Sequence, residues 1–149
     1  MKDLAYNRRV RFDYQIKEVF EAGLVLLGTE VKSVKSGNMS LRGAFVTMHE
    51  DDAYLTNATI PPWQPKNTPA DYDPIRSRRL LLKKSELKQL IGAKKAKGLT
   101  LVPIRVYSSR GMVKVEIALA KGKRRADKKQ VKKERDIQRD VERMLRGKE

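Results

Sequence analysis

Between residues 113 and 119, Val113, Val115, Ile117 and Leu119 alternate with Lys114, Glu116 and Ala118. This period of two is the strongest in the chain and predicts a strand with one buried face. Just upstream, Val102, Ile104 and Val106 share one face of a partner strand, and Ser108-Ser109-Arg110-Gly111 supplies a hairpin turn. Pro103 has no amide donor, which places it at a bulge or beside an edge. A second hairpin reads the same way. Ala44, Val46 and Met48 alternate with Phe45, Thr47 and His49, and Glu50-Asp51-Asp52 turns the chain into 53–60. Residues 14–27 place Tyr14, Ile16, Phe20, Leu24 and Leu26 on both faces, so they predict one long strand bent or bulged at Gly23. Leu80-Leu81-Leu82, too short for a helix, predicts a buried strand.

Helical signals are fewer. Thr29 is a candidate cap for a short helix, Glu30 suits its positive N-terminus, and Gly37 suits its end. Ser85 is a candidate cap for a helix bearing Leu87, Leu90 and Ile91 on one face, stopped by Gly98. Residues 61–79, with Pro61, Pro62, Pro65, Pro69 and Pro74, read as a surface loop. The pattern therefore predicts a mainly β body over 1–120, with about six antiparallel strands curled into a small barrel and flanked by helices.

At Lys121 the pattern breaks, and 121–149 reads as a basic C-terminal tail. Residues 121–133 hold eight basic residues against one acid, Asp127, a net of +7, with Val131 the one sizeable apolar side chain. Lys128 with Lys132, and Lys129 with Lys133, oppose helix formation until a polyanion neutralises them. Farther on, Ile137, Val141, Met144 and Leu145 form a thin stripe, and Glu142 pairs favourably with Arg146. An isolated helix of this length is marginal in water. The tail is expected to be disordered alone and helical on its partner.

Charge identifies the kind of partner. The chain of 149 residues carries 34 Lys and Arg against 18 Asp and Glu, a formal net charge of +16. A small body so charged suits a polyanion, nucleic acid first and an anionic membrane surface second. With no cysteine, disulfides, zinc–thiolate sites and thiol catalysis are excluded. The opening MKDLAYNRRVRFDYQ lacks the apolar core of a signal peptide, and no run of 18 apolar residues is present. A cytoplasmic protein with no membrane partner is expected. His49, the single histidine, has no Cys or second His beside it and reads as a surface or edge residue. Trp63, with Pro61 and Pro62, reads as a cover for one end of a core. No Walker loop, GxSxG elbow or dinucleotide fingerprint occurs, so no catalytic residue, metal or cofactor is expected.

Several segments coincide with one family. Phe20-Glu21-Ala22-Gly23-Leu24-Val25-Leu26, running into Gly28-Thr29-Glu30-Val31-Lys32-Ser33, resembles the signature of the SsrA-binding protein (SmpB) family. So do 73–82, Lys84-Ser85-Glu86-Leu87, Leu99-Thr100-Leu101-Val102-Pro103 and 113–117. Gly122-Lys123-Arg124 with Asp127-Lys128-Lys129 resembles its basic tail motif. The match runs from about Asn7 onward, and six segments in register make it specific. The resemblance implies an OB-like barrel that binds the tRNA-like domain of tmRNA (SsrA RNA). It also implies delivery of that RNA to stalled ribosomes, where the tail probes the empty mRNA channel near the decoding centre. Other implied partners are small-subunit rRNA and, through aminoacylated tmRNA, elongation factor Tu; the protein itself, taken as a monomer, performs no chemistry.

Carried onto this sequence, the resemblance places Glu30, Val31, Lys32 and Ser33 on the tmRNA-binding surface. Glu30 there would accept hydrogen bonds from a 2′-OH or a base amine, although local sequence alone makes it a helix-terminus charge. Arg8, Arg9 and Arg11 are candidate phosphate contacts. Lys123, Arg124, Arg125, Asp127, Lys128, Lys129, Lys132 and Lys133 are the candidate ribosome contacts of the tail. Phe12, Ser40, Ala126 and Lys129 depart from the family pattern; Ala126 removes a stacking group, and Lys129 replaces a planar guanidinium with a point charge. Two other readings stand beside this one: a ribosomal protein of similar barrel type, and a basic protein of membrane surfaces.

Overall fold

The computed structural model describes residues 3–94 and 98–123, with Arg135 and Arg139 beyond them. In chain order its elements are β1 (Asp3–Tyr6), α1 (Val10–Asp13), β2 (Tyr14–Leu24), α2 (Gly28–Lys35), β3 (Phe45–His49) and β4 (Asp52–Thr56). A single 3-10 turn (Pro65–Asn67) precedes β5 (Arg78–Leu81), α3 (Lys84–Lys94), β6 (Leu99–Ser109) and β7 (Met112–Gly122). Seven strands form one antiparallel sheet in the order β1-β6-β7-β2-β5-β4-β3. The sheet curls so that β3 packs against β6, to which it is not hydrogen-bonded.

The two hairpins form where the alternation predicts them. Arg110 (φ 51) and Gly111 (φ 78) turn β6 into β7, and Glu50 (φ 49) with Asp51 (φ 68) turn β3 into β4. Two successive left-handed residues match the twist of the flanking strands. The strand beyond the expected six is β1, which pairs with β6 through Ala5↔Val106 and Tyr6↔Arg105.

Three expectations change in detail. First, Val102, Ile104 and Val106 do not share a face. The register of β6 against β7 shifts between Pro103 and Arg105, which bears out the bulge at the proline and reverses the phase of everything after it. Leu101 and Val106 therefore face the main core, with Phe20, Leu55, Ile60, Leu80, Leu90 and Val115. Val102 and Ile104 face a smaller cluster with Val10 of α1, Ala118 and Ala120. Second, the irregularity of β2 lies between Ile16 and Glu18 and not at Gly23. Gly23 instead marks the change of partner, since it pairs with Lys114 of β7 and with Leu81 of β5. Third, the leucine triplet is not uniformly buried. In β5, Arg78 and Leu80 point inward while Arg79 and Leu81 point outward, because a strand must alternate.

Both longer helices start differently from the Ser/Thr caps expected. Leu27 precedes α2, and its N–H donates to the Glu30 carboxylate at 2.9 Å. Lys83 precedes α3, and its N–H donates to Glu86 at 3.1 Å. Thr29 and Ser85 lie within the first turns. A glutamate three residues past the start thus satisfies one of the free amide donors at each helix end. Gly37 (φ 82) closes α2 as expected, with its N–H donating to Val34 and the Asn38 N–H to Ser33. On α3, Leu90 is buried and Leu87 packs against the core.

The end of β7 overlaps the segment that composition groups with the tail: Lys121 pairs with Gln15 and Gly122 with Tyr14. Lys123 then donates its N–H to the Asp13 carbonyl and its ammonium to the Arg11 carbonyl, both at 2.8 Å. Arg124, Arg125, Asp127, Lys128, Lys129, Lys132 and Lys133 lie outside the described residues, as does the expectation that the tail is disordered alone. Arg135 and Arg139 are helical, and the Arg135 guanidinium lies 5.8 Å from the centroid of the Phe12 ring. Among the described residues, no helix is long and apolar enough to cross a membrane.

Candidate nucleic-acid interface

Glu30 is on the third residue of α2, four before Val34, and this stripe of the helix faces inward. It is 1% exposed. Opposite it, Arg78 is fully buried on β5 and donates Nε and Nη2 to Glu30 Oε2 at 3.0 and 2.6 Å. The remaining Arg78 donors reach the Ala58 carbonyl at 2.7 Å and the Pro74 carbonyl at 3.0 Å. Arg76 joins from the loop, with Nε 3.2 Å from Oε2 and Nη2 on Oε1. The Tyr72 hydroxyl lies 3.1 Å from Oε2 and 2.8 Å from the Ile60 carbonyl; with one proton, it donates to one of them at a time. Burial pushes the Glu30 carboxyl up, but hydrogen bonds from Arg76, the Leu27 N–H and Arg78, with the Arg78 charge, outweigh it and hold the group below its ordinary value. The Tyr72 phenol is raised, by burial first and then by the neighbouring carboxylate.

This arrangement alters the expectation for Glu30. Both carboxylate oxygens are taken and the group has no surface, so it offers no acceptor to a 2′-OH or base amine. Its charged partners are two cations, Arg76 and Arg78, and it supplies one negative charge. One positive charge is left over, and the exposed side of it is Arg76, 32% exposed. The cluster fixes the loop before β5 against α2 and presents Arg76 at its rim. Ser33 is likewise buried and donates Oγ–H to the Pro61 carbonyl at 2.7 Å. Val31 is half-buried, and Lys32 alone of the four is exposed.

The N-terminal arginines are all exposed. Arg9 pairs with Asp13 at 3.4 Å and stacks over Phe12 at 5.1 Å, whereas Arg8 has no side-chain partner among the described residues. His49 is exposed on the edge strand β3, as expected; Trp63 is exposed and does not close the core. No group of His, Cys, Asp or Glu able to hold a metal occurs among the described residues.

One surface feature escaped the sequence reading. Leu81 is 48% exposed and projects beside Gly23, where an added Cβ would lie 3.4 Å from the leucine Cβ. Val25 and Leu27 follow, also exposed, and Lys114 flanks Gly23 on the other side. Exposed apolar groups are thus gathered at this edge beside a lysine. The available signal was the triplet itself, because three consecutive leucines in a strand cannot all face inward.

A curled antiparallel sheet in a chain of net charge +16 defines a class, the strongly basic β-domains. The chain belongs to the SmpB family: residues 4–147 match the model described as SmpB protein. The SsrA-binding protein of Thermosynechococcus vestitus is 45% identical over 146 residues, covering 98% of this chain and 96% of that one. Its counterpart from Coprothermobacter proteolyticus is 49% identical over 144 residues, covering 96% of each. A solved chain described under "tmRNA-SmpB: a journey to the center of the bacterial ribosome" superposes with a TM-score of 0.65 at 47% identity, covering 83% of this chain and 90% of that chain.

Proposed function

We propose that this protein binds the tRNA-like domain of tmRNA and delivers it to stalled ribosomes for trans-translation. The observation that carries this reading is the match at 47% identity to a chain from the tmRNA–SmpB system on the ribosome. In this reading the body holds tmRNA with Leu81, Lys32, Arg76 and the arginines Arg8, Arg9 and Arg11, while Glu30, Val31 and Ser33 hold the surface in shape. The tail, from Lys123 through Lys133, contacts small-subunit rRNA along the vacant mRNA channel and becomes helical there. The protein acts as a monomer in the cytoplasm and performs no chemistry. Elongation factor Tu joins through the aminoacylated RNA.

Sequencing the RNA that co-purifies with the native protein tests this reading. One structured tmRNA is expected; ribosomal subunits alone would make it a ribosomal protein instead. Truncation after Lys123 keeps every pair of β7 and should leave tmRNA affinity nearly intact while abolishing tagging on stalled ribosomes. Equal loss of both would overturn the division of labour between body and tail.

A further inference from the structure

The two edge strands of the sheet, β1 and β3, do not pair with each other. Between β1 and the segment that leads into β3 lies an open groove of about 750 Å³, lined by β1, the residues after it, the segment 39–44 and Phe45 at the start of β3. That volume is within the roughly 300–1,000 Å³ usual for ligand sites. Its lining includes Ala5, Val10 and Leu41, all buried and apolar. Two aromatic side chains line it while remaining open to solvent, Tyr6 at 44% and Phe45 at 41%.

The charges around this groove are not balanced. Its two acids are engaged: Asp3 accepts from Arg105 at 2.8 Å, and Asp13 pairs with Arg9. Arg8 and Arg42, also lining residues, are exposed and have no side-chain partner among the described residues. Open aromatic faces beside unpaired guanidinium groups are the combination that holds single-stranded nucleic acid, with bases on the rings and phosphates on the cations.

We propose that the seam between β1 and β3 is a second RNA site, taking a short unpaired segment with its bases against Tyr6 and Phe45 and its phosphates against Arg8 and Arg42. A peptide strand added to an edge is the competing occupant. It is disfavoured because β1 has only four residues and its register breaks between Asp3 and Ala5, a poor template for strand addition. The site goes beyond the binding of the tRNA-like domain proposed above, with which it shares Arg8 at its rim.

The test uses the full chain and a fluorescein-labelled hexauridine, followed by anisotropy in 0.3 M KCl (roughly a 6 Å Debye length) to weaken the tail's charge. Tyr6→Ala and Phe45→Ala should each weaken hexamer binding by about 5-fold to 100-fold. Arg42→Gln, outside the residues assigned to the tRNA-like domain, should lower the slope of log affinity against log salt by about 0.7. A 4-thiouridine hexamer should crosslink to peptides containing Tyr6 or Phe45, and affinity for the tRNA-like domain should change less than hexamer affinity. Should an aromatic variant fail to fold, Arg42→Gln, at an exposed side chain with no partner among the described residues, carries the test. Unchanged affinity and slope, or crosslinks confined to residues after Lys123, would overturn the proposal. An extended Val/Thr peptide that protects the β1 amides from exchange, with no hexamer binding there, would overturn it too by making the seam a strand-addition edge.

Discussion

Arg78 and Arg42 sit in the same small body and could hardly be placed more differently. Arg78 is enclosed beneath α2, with donors on Glu30, Ala58 and Pro74. Arg42 stands at the rim of the β1–β3 seam with no side-chain partner among the described residues. The contrast follows from what each environment costs. A guanidinium removed from water needs a carboxylate and carbonyls in fixed positions, or the fold does not form around it. One left in water needs nothing and stays available for a phosphate. The surplus of positive charge is therefore not one property: part of it is committed to structure, and only the rest is open to RNA.

The largest effect is expected of Glu30→Gln. It leaves Arg78 buried against a neutral amide and should destabilise the protein by about 3–5 kcal/mol. Urea unfolding at pH 7 measures it, and a loss below 1 kcal/mol would mean the cluster is not structural. Acid gives a graded version of the same effect. Because Glu30 titrates below its ordinary value of 4.5 in the folded protein, its contribution is fully present above that value and is lost as pH falls through the folded one. The urea midpoint of the native protein should drop below pH 4.5 more steeply than that of Glu30→Gln. On the exposed side, Leu81→Ala should weaken tmRNA binding by about 1–2 kcal/mol and shift stability by no more than about 0.5 kcal/mol. Isothermal titration beside a melting curve separates the two. The smallest effect belongs to Lys32→Gln, which should lower the salt slope of binding by about 0.7–0.9 and leave the melting curve in place.

The hairpins, the proline bulge and the α3 stripe were legible because alternation and periodicity act over many residues. β1 was not, since a four-residue strand flanked by charges leaves too short a pattern to register. The Glu30 site was misread for a different reason: a carboxylate beside a helix start reads as a surface charge. Yet two clues were in the sequence. Glu30 precedes Val34 by four on a helix, and Arg78 precedes Leu80 by two on a strand. Opposite charges thus fell on two inward-facing stripes. That they meet across 48 residues is tertiary information, supplied only by the turn of β2 into α2 and the packing of the loop before β5. The seam groove was wholly invisible, because it exists only where two edge strands fail to close.

The shift at Pro103 lets one strand serve two cores, the smaller cluster through Val102 and Ile104 and the main core through Leu101 and Val106. In terms of inheritance, β6 is freer to change its letters than its length. A substitution disturbs one position, whereas losing a single residue between Leu101 and Val106 exchanges the faces of every residue on one side of the gap. Gains and losses among descendants of this chain should therefore collect in its loops, and β6 should pass down unbroken even where its residues do not.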